Sequence, residues 1–171
     1  MKYERFEQLP VWKAAINMAI QIHGMTNKAQ FRGRFSLRDQ IERAAVSVSN
    51  NIAEGFERGT TQELLTFLYI ARGSAGEVRS MLCLLEGIPG FADLKSEISD
   101  LKSLAEGISR QLRAWADSLQ SSKITGQRYL TEKTRQAEKA ARDRTEFLEK
   151  LRQIREQGKP QPVNNSQDRK E

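Results

Sequence analysis

The sequence predicts an all-α protein: an antiparallel up-down-up-down four-helix bundle, then a charged helical extension, then a disordered end. Three observations carry that expectation. Four segments repeat apolar residues at the helical period, the links between them are short enough to force neighbouring helices antiparallel, and no run alternates β-branched and polar residues as a strand would. With 171 residues, 38% hydrophobic and 29% charged, the chain suffices for one domain with a core and is too short for two. The bundle is expected over residues 1–121, the extension over 122–157 and the disordered tail over 158–171.

The first helix is expected to open at Pro10, because proline at the first helical position needs no N–H partner. Trp12, Ile16, Ala19 and His23 then recur on one stripe, and the helix fades near Thr26. Ser36 is placed to cap the second helix, whose stripe is Ile41, Ala45, Val48, Ile52 and Phe56, with Gly55 and Gly59 marking its end. On its back face Val46, Ser49 and Ala53 stand where a solvent-facing helix would show Lys and Glu, so that face should be covered.

Thr60-Thr61-Gln62-Glu63 sets a capping hydroxyl three residues before a glutamate, and Leu64, Phe67, Leu68, Ala71, Ala75, Val78, Leu82 and Leu85 form the third helix. Gly73, Ser74 and Gly76 lower its helix propensity, a cost that close backbone packing or a subunit interface would explain. Gly87 and Pro89 stop it. Phe91, Leu94, Ile98, Leu101, Ala105, Ile108, Leu112, Trp115 and Leu119 give the fourth helix the cleanest amphipathic pattern. From residue 128 to 157 Arg, Lys, Glu, Gln and Ala dominate, so a helix is expected there but a solvated one. The two prolines and two asparagines of 158–171, with almost nothing to bury, have the composition of a disordered end.

Glu4 and Glu7 break any apolar stretch a secretory signal would need, and no segment approaches the ~18 apolar residues of a membrane span, so a cytoplasmic protein is expected. The single cysteine, Cys83, cannot form an intramolecular disulfide or a thiolate zinc cluster. Between Leu82 and Leu84 it reads as a small buried hydrophobe. The only histidine, His23, lies near a helix C-terminus, where a packed or dipole-satisfied imidazole is an ordinary role. Gly73 and Gly76 sit inside a helix and cannot form a phosphate-cradling turn after a strand. No catalytic set, metal ligand set, cofactor or small-molecule substrate is therefore expected, and the protein should act by binding.

One polar constellation is specific. Gln40, Ser47, Asn51, Glu54 and Arg58 lie at offsets 0, 7, 11, 14 and 18 along the second helix, beside its apolar face. They form either a site for a ligand or partner, or interhelical hydrogen bonds, with Arg72 as a further member, that fix helix register.

The formal net charge of +6 is unevenly placed. Residues 1–121 hold 15 Lys/Arg against 14 Asp/Glu, and residues 122–171 hold 13 against 8. In the first link, Lys28, Arg32, Arg34 and Arg38 interleave with Phe31 and Phe35, a mixture suited to phosphate contact and base stacking. The same residues also fit a solubilising loop over two core-plugging phenylalanines. Lys123, Arg128, Lys133, Arg135, Lys139, Arg142, Arg144, Lys150, Arg152 and Arg155 interleave with acids in the extension, where i,i+4 pairs absorb part of the charge and the net excess attracts polyanions.

Leu9-Pro10-Val11-Trp12-Lys13, then Gln40-Ile41 with Ala44-Ala45-Val46-Ser47-Val48-Ser49-Asn50-Asn51-Ile52-Ala53-Glu54-Gly55, then Phe67-Leu68-Tyr69-Ile70-Ala71-Arg72-Gly73-Ser74, resemble the bacterial four-helix bundle proteins named for the intervening sequences of 23S ribosomal RNA genes. The resemblance spans residues 3–120. It implies a ring-like homopentamer without catalytic activity and with a link to RNA. It also reaches the accessory proteins of diversity-generating retroelements, which implies a reverse transcriptase as a possible partner. The near-neutral bundle and the basic extension after Ser121 depart from the family pattern. The leading expectation is a non-enzymatic homo-oligomeric adaptor that binds nucleic acid, RNA above all; the alternatives are a reverse-transcriptase scaffold and a purely structural oligomer.

Overall fold

In the computed structural model of the protein, residues 3–121, 140, 143–150 and 152–153 are described. Among them the fold is all-α, with no β-strand. Four long helices, α1 (Pro10–Thr26), α2 (Phe35–Glu57), α3 (Thr61–Gly87) and α4 (Lys95–Gln120), alternate with short 3-10 turns at Phe6–Gln8, Ala29–Phe31 and Pro89–Leu94. α1 packs on α2 and α4, and α3 packs on α2 and α4, around one apolar core.

α1 starts at Pro10, behind an extended Leu9. Its core face is Val11, Ala15, Met18, Ile22 and Met25, one residue away from the expected stripe of Trp12, Ile16, Ala19 and His23. The helix is apolar over most of its circumference, so its period fits two adjacent stripes equally. Trp12 instead lies half-buried, edge-on to Phe6 with ring centroids 5.2 Å apart.

α2 begins at Phe35, one residue before Ser36, and no side chain caps it. Ile41, Ala45, Val48, Ile52 and Phe56 are buried as expected. Gly55 does not end the helix. It lies within α2 and lets it approach α3, since a β-carbon there would stand 2.6 Å from Phe67 Cβ and 3.3 Å from Leu64 Cδ1. Gly73 and Gly76 have no such role within the chain: a β-carbon at either meets nothing within 4 Å.

At the start of α3 the Thr60 hydroxyl accepts the Glu63 backbone N–H at 3.2 Å and donates to the Glu63 carboxylate at 2.8 Å. This satisfies an N–H group that has no intrahelical partner. Contacts between α2 and α3 run in opposite senses along the two helices, from Gln40 with Glu77, through Ser47 with Ser74, to Arg58 over Phe67. The same holds for α3 and α4, where Tyr69 meets Gln120 and Glu86 meets Lys102.

Phe91 and Leu94 were expected in the fourth helix but lie in the 3-10 turn that Pro89 opens, and both are still buried. Burying large apolar side chains of this kind contributes about 1.5–3 kcal/mol each before the entropy of ordering is counted. Along α4, Ala116 is fully buried while Trp115 and Leu119 sit at the core margin.

The chain divides into two compact units, Met1–Tyr129 and Leu130–Glu171. In the second, residues 143–150 and 152–153 are helical, and Glu146 pairs with Lys150 at 2.9 Å. The tail expected to be disordered, 158–171, lies outside the described residues.

Candidate nucleic-acid interface

The link between α1 and α2 is built around Phe31, which is buried and meets Phe91 edge-on at a centroid distance of 4.9 Å. Phe35 differs: it opens α2 and is 77% exposed. One phenylalanine therefore plugs the core, and the other is free for contact.

Three of the four cations expected to bind phosphate here are engaged within the chain. Lys28 pairs with Glu97 at the start of α4. The Arg34 guanidinium lies 4.7 Å from the centre of the Phe91 ring, a cation–π arrangement that also fills the space beside Gly90. Arg38 donates to Glu42 and to Asn27, both at 3.0 Å. Arg32 is exposed and has no polar partner among the described residues.

Glu42 is the centre of a small network. It accepts hydrogen bonds from the Thr26 hydroxyl and from Arg38, and His23 Nδ1 stands 3.4 Å away. Partial burial opposes ionisation, but the hydrogen bonds from Thr26 and Arg38 and the charges of Arg38 and His23 outweigh it, holding the carboxyl below its ordinary range. His23 is thus an exposed member of a polar cluster in the last turn of α1, where a cation also suits the helix dipole; it is not packed in the core.

The polar stripe of α2 bridges to α3. Gln40 donates to Glu77 at 3.2 Å, the Ser47 and Ser74 hydroxyls are 2.9 Å apart, and Asn51 donates to the Ser47 carbonyl and hydroxyl at 2.7 and 3.0 Å. Arg58 pairs with Glu54 one turn earlier and covers the Phe67 ring at 5.1 Å. These contacts are interhelical and local bonds, and Ser47, Asn51 and Glu54 also line an open polar depression with Asp39, Glu42 and Arg43. Arg72 is not among them; it is half-buried on α3 with no polar partner among the described residues.

Cys83, expected to be buried, is exposed. The apolar run around it spans two faces of α3, because Leu82 is buried and Leu84 is half-exposed. No group of His, Cys, Asp and Glu able to hold a metal occurs among the described residues, and no helix there is long and apolar enough to cross a membrane.

Sequence reasoning missed an apolar depression between α1 and α2. Ile16, Ala19, Ile20 and Val46 line it together with His23, Glu42, Ser49 and Asn50. Ile20 is 65% exposed and Val46 48%. Of the back face of α2 that should be covered, Ser49 is buried, bonding the Val46 carbonyl, and Ala53 is half-buried. Val46 alone remains open. The signal for the depression was the second apolar stripe of α1, assigned to the core in error.

In the extension, Arg144, Lys150 and Arg152 are exposed on helical segments, and Phe147 and Leu148 are exposed beside them. Lys123, Arg128, Lys133, Arg135, Lys139, Arg142 and Arg155 lie outside the described residues.

The family described as 23S rRNA-intervening sequence protein matches residues 7–123. No curated protein matches the chain.

Proposed function

Because the chain belongs to the 23S rRNA-intervening sequence protein family, we propose that it is a non-enzymatic, RNA-associated adaptor built on an up-down-up-down four-helix bundle. The match over residues 7–123 is the observation that carries this proposal. The charge supports it: a net +6, with most of the excess after Ser121, favours polyanions by counterion release. The side chains an enzymatic role would recruit already have structural work, His23 beside Glu42 and Glu54 with Arg58.

The adaptor self-associates, as a five-membered ring in the arrangement the resemblance implies. The depression between α1 and α2 favours this, because a second copy covering it would take the apolar surface of Ile20 and Val46 out of water. A multivalent ring would then raise the effective affinity of modest RNA sites on each subunit.

The test is a fluorescence titration of structured RNA into the full chain at several salt concentrations, with light scattering to follow assembly. Tight binding that weakens steeply with salt is expected. Absence of binding at low salt overturns the proposal. A chain ending at Ser121 then reports how much of the binding the extension supplies.

A further inference from the structure

Tyr69, Arg72, Gly76, Arg79 and Glu86 follow one another along α3 at spacings of 3, 4, 3 and 7, one stripe of the helix. That stripe runs along the seam with α4 and is pinned at both ends. Gln120 donates to the Tyr69 hydroxyl at 2.9 Å, and Lys102 pairs with Glu86 at 2.6 Å. Between the pins, Arg72 is half-buried, Arg79 is exposed, and neither has an acidic partner among the described residues. The cations on the facing stretch of α4 are neutralised, Arg110 by Glu106 and Arg113 by Asp117. Arg72 and Arg79 are therefore local uncompensated charges, in contrast to Lys28 and Arg38 of the first link, which pair with Glu97 and Glu42.

The spacing suits a nucleic-acid strand. Seven helical residues advance about 10.5 Å, which sets the two arginines far enough apart to meet different phosphates of one strand. A guanidinium presents paired donors to phosphate oxygens, and half-burial of Arg72 reduces the rotamer freedom lost on contact. Midway between the arginines, Gly76 leaves the helix surface bare, with nothing within 4 Å of a β-carbon built there. Tyr69 is 42% exposed at one end of the stripe, and its hydroxyl is already held by Gln120, which orients the ring as a stacking surface.

We propose that the α3–α4 seam is an RNA-backbone track, with Arg72 and Arg79 contacting phosphates and Tyr69 stacking on an unpaired base. This assignment rests on the RNA-associated role proposed above and adds a site that lies on neither the first link nor the extension.

The test compares the full chain with its Arg72→Gln/Arg79→Gln form, titrating a fluorescein-labelled stem-loop RNA between 50 and 200 mM salt. Loss of two phosphate contacts lowers the slope of log affinity against log salt by about 1.4–1.8. Arg72→Lys/Arg79→Lys should keep most of the slope, because the charges remain. Arg79→Gln alone, at an exposed position, should lower it by about 0.7–0.9 and keeps the test decisive if the double variant melts early. If the wild type binds with a steep salt dependence and Arg79→Gln and the double variant match it, the seam is not the site and the adaptor role stands. If the wild type does not bind RNA, the adaptor role fails and the seam falls with it.

Discussion

Gly55 of α2 lies tight against Phe67 of α3, with room between them for a hydrogen and none for a methyl group. A β-carbon at 55 would stand 2.6 Å from Phe67 Cβ, an atom fixed to the α3 backbone and unable to turn aside. Gly55→Ala should therefore destabilise the protein by about 1–3 kcal/mol through overpacking, although alanine is the better helix former. Chemical denaturation checks this. Gly73→Ala is the control, since open space surrounds that position, and there the gain in propensity of up to about 1 kcal/mol should appear as stabilisation of the isolated subunit.

The Thr60 hydroxyl serves two bonds at once, accepting from the Glu63 N–H and donating to its carboxylate. Thr60→Ala removes both and should cost about 0.5–2 kcal/mol. Thr60→Ser keeps the hydroxyl and should recover most of the loss. Thermal melts of the two variants separate capping from simple truncation.

The polar stripe on α2 mixes two kinds of interaction, and substitution should separate them. Glu54 is exposed and meets Arg58 across one helical turn, so Glu54→Ala should change stability by less than about 1 kcal/mol. Ser47 is half-buried between Ser74 and Asn51, and its loss leaves both without that partner. Ser47→Ala should cost about 0.5–1.5 kcal/mol. Denaturant midpoints that reverse this order would mean that Glu54, not the Ser47–Ser74 bond, fixes the register of α2 against α3.

How far these relationships could be read from the sequence depends on what periodicity determines. It placed the cores of α2 and α3 because their apolar residues occupy a limited arc, and the Thr60–Glu63 spacing is local chemistry that needs no tertiary contact. It failed in α1, where Ile16, Ala19 and Ile20 continue the apolar surface beyond the core face of Val11, Ala15, Met18 and Ile22. A helix apolar nearly all round does not announce which arc its neighbours will cover. The charged cluster of the first link hides its intramolecular partners for a different reason. Lys28 lies 69 residues before Glu97, and Arg34 lies 57 before Phe91, so their partners become visible only when the helices are assembled. Arg72 and Arg79 carried the opposite signal, two arginines one heptad apart, whose lack of acidic partners is likewise a tertiary fact.

Acid should weaken the contact between α1 and α2 through Glu42. Its carboxyl is held below the ordinary carboxylate range when folded, so the ionised form contributes stability above the unfolded value near 4.3. That contribution is lost as the pH falls through the lower folded value. The denaturation midpoint of the wild type should drop over this window, whereas Glu42→Gln should begin lower at neutral pH and follow a flatter course. The two curves converge in acid. Parallel curves would show that Glu42 is not coupled to folding.

Ile20 and Val46 belong to different helices but line one depression. Inside a single subunit neither side chain contributes fully to the core, since 65% and 48% of their surfaces meet solvent. Introducing a charge at either place therefore costs the isolated subunit little. In an assembly that covers the depression, the same charge would be stripped of water without a partner, a penalty of several kcal/mol per subunit interface. Ile20→Glu and Val46→Glu should accordingly yield well-folded, helical protein of lower molecular mass by light scattering. If both variants keep the wild-type mass, the depression is not the self-association surface. If both lose their helical signal, the side chains support the subunit itself, and their exposure has another cause.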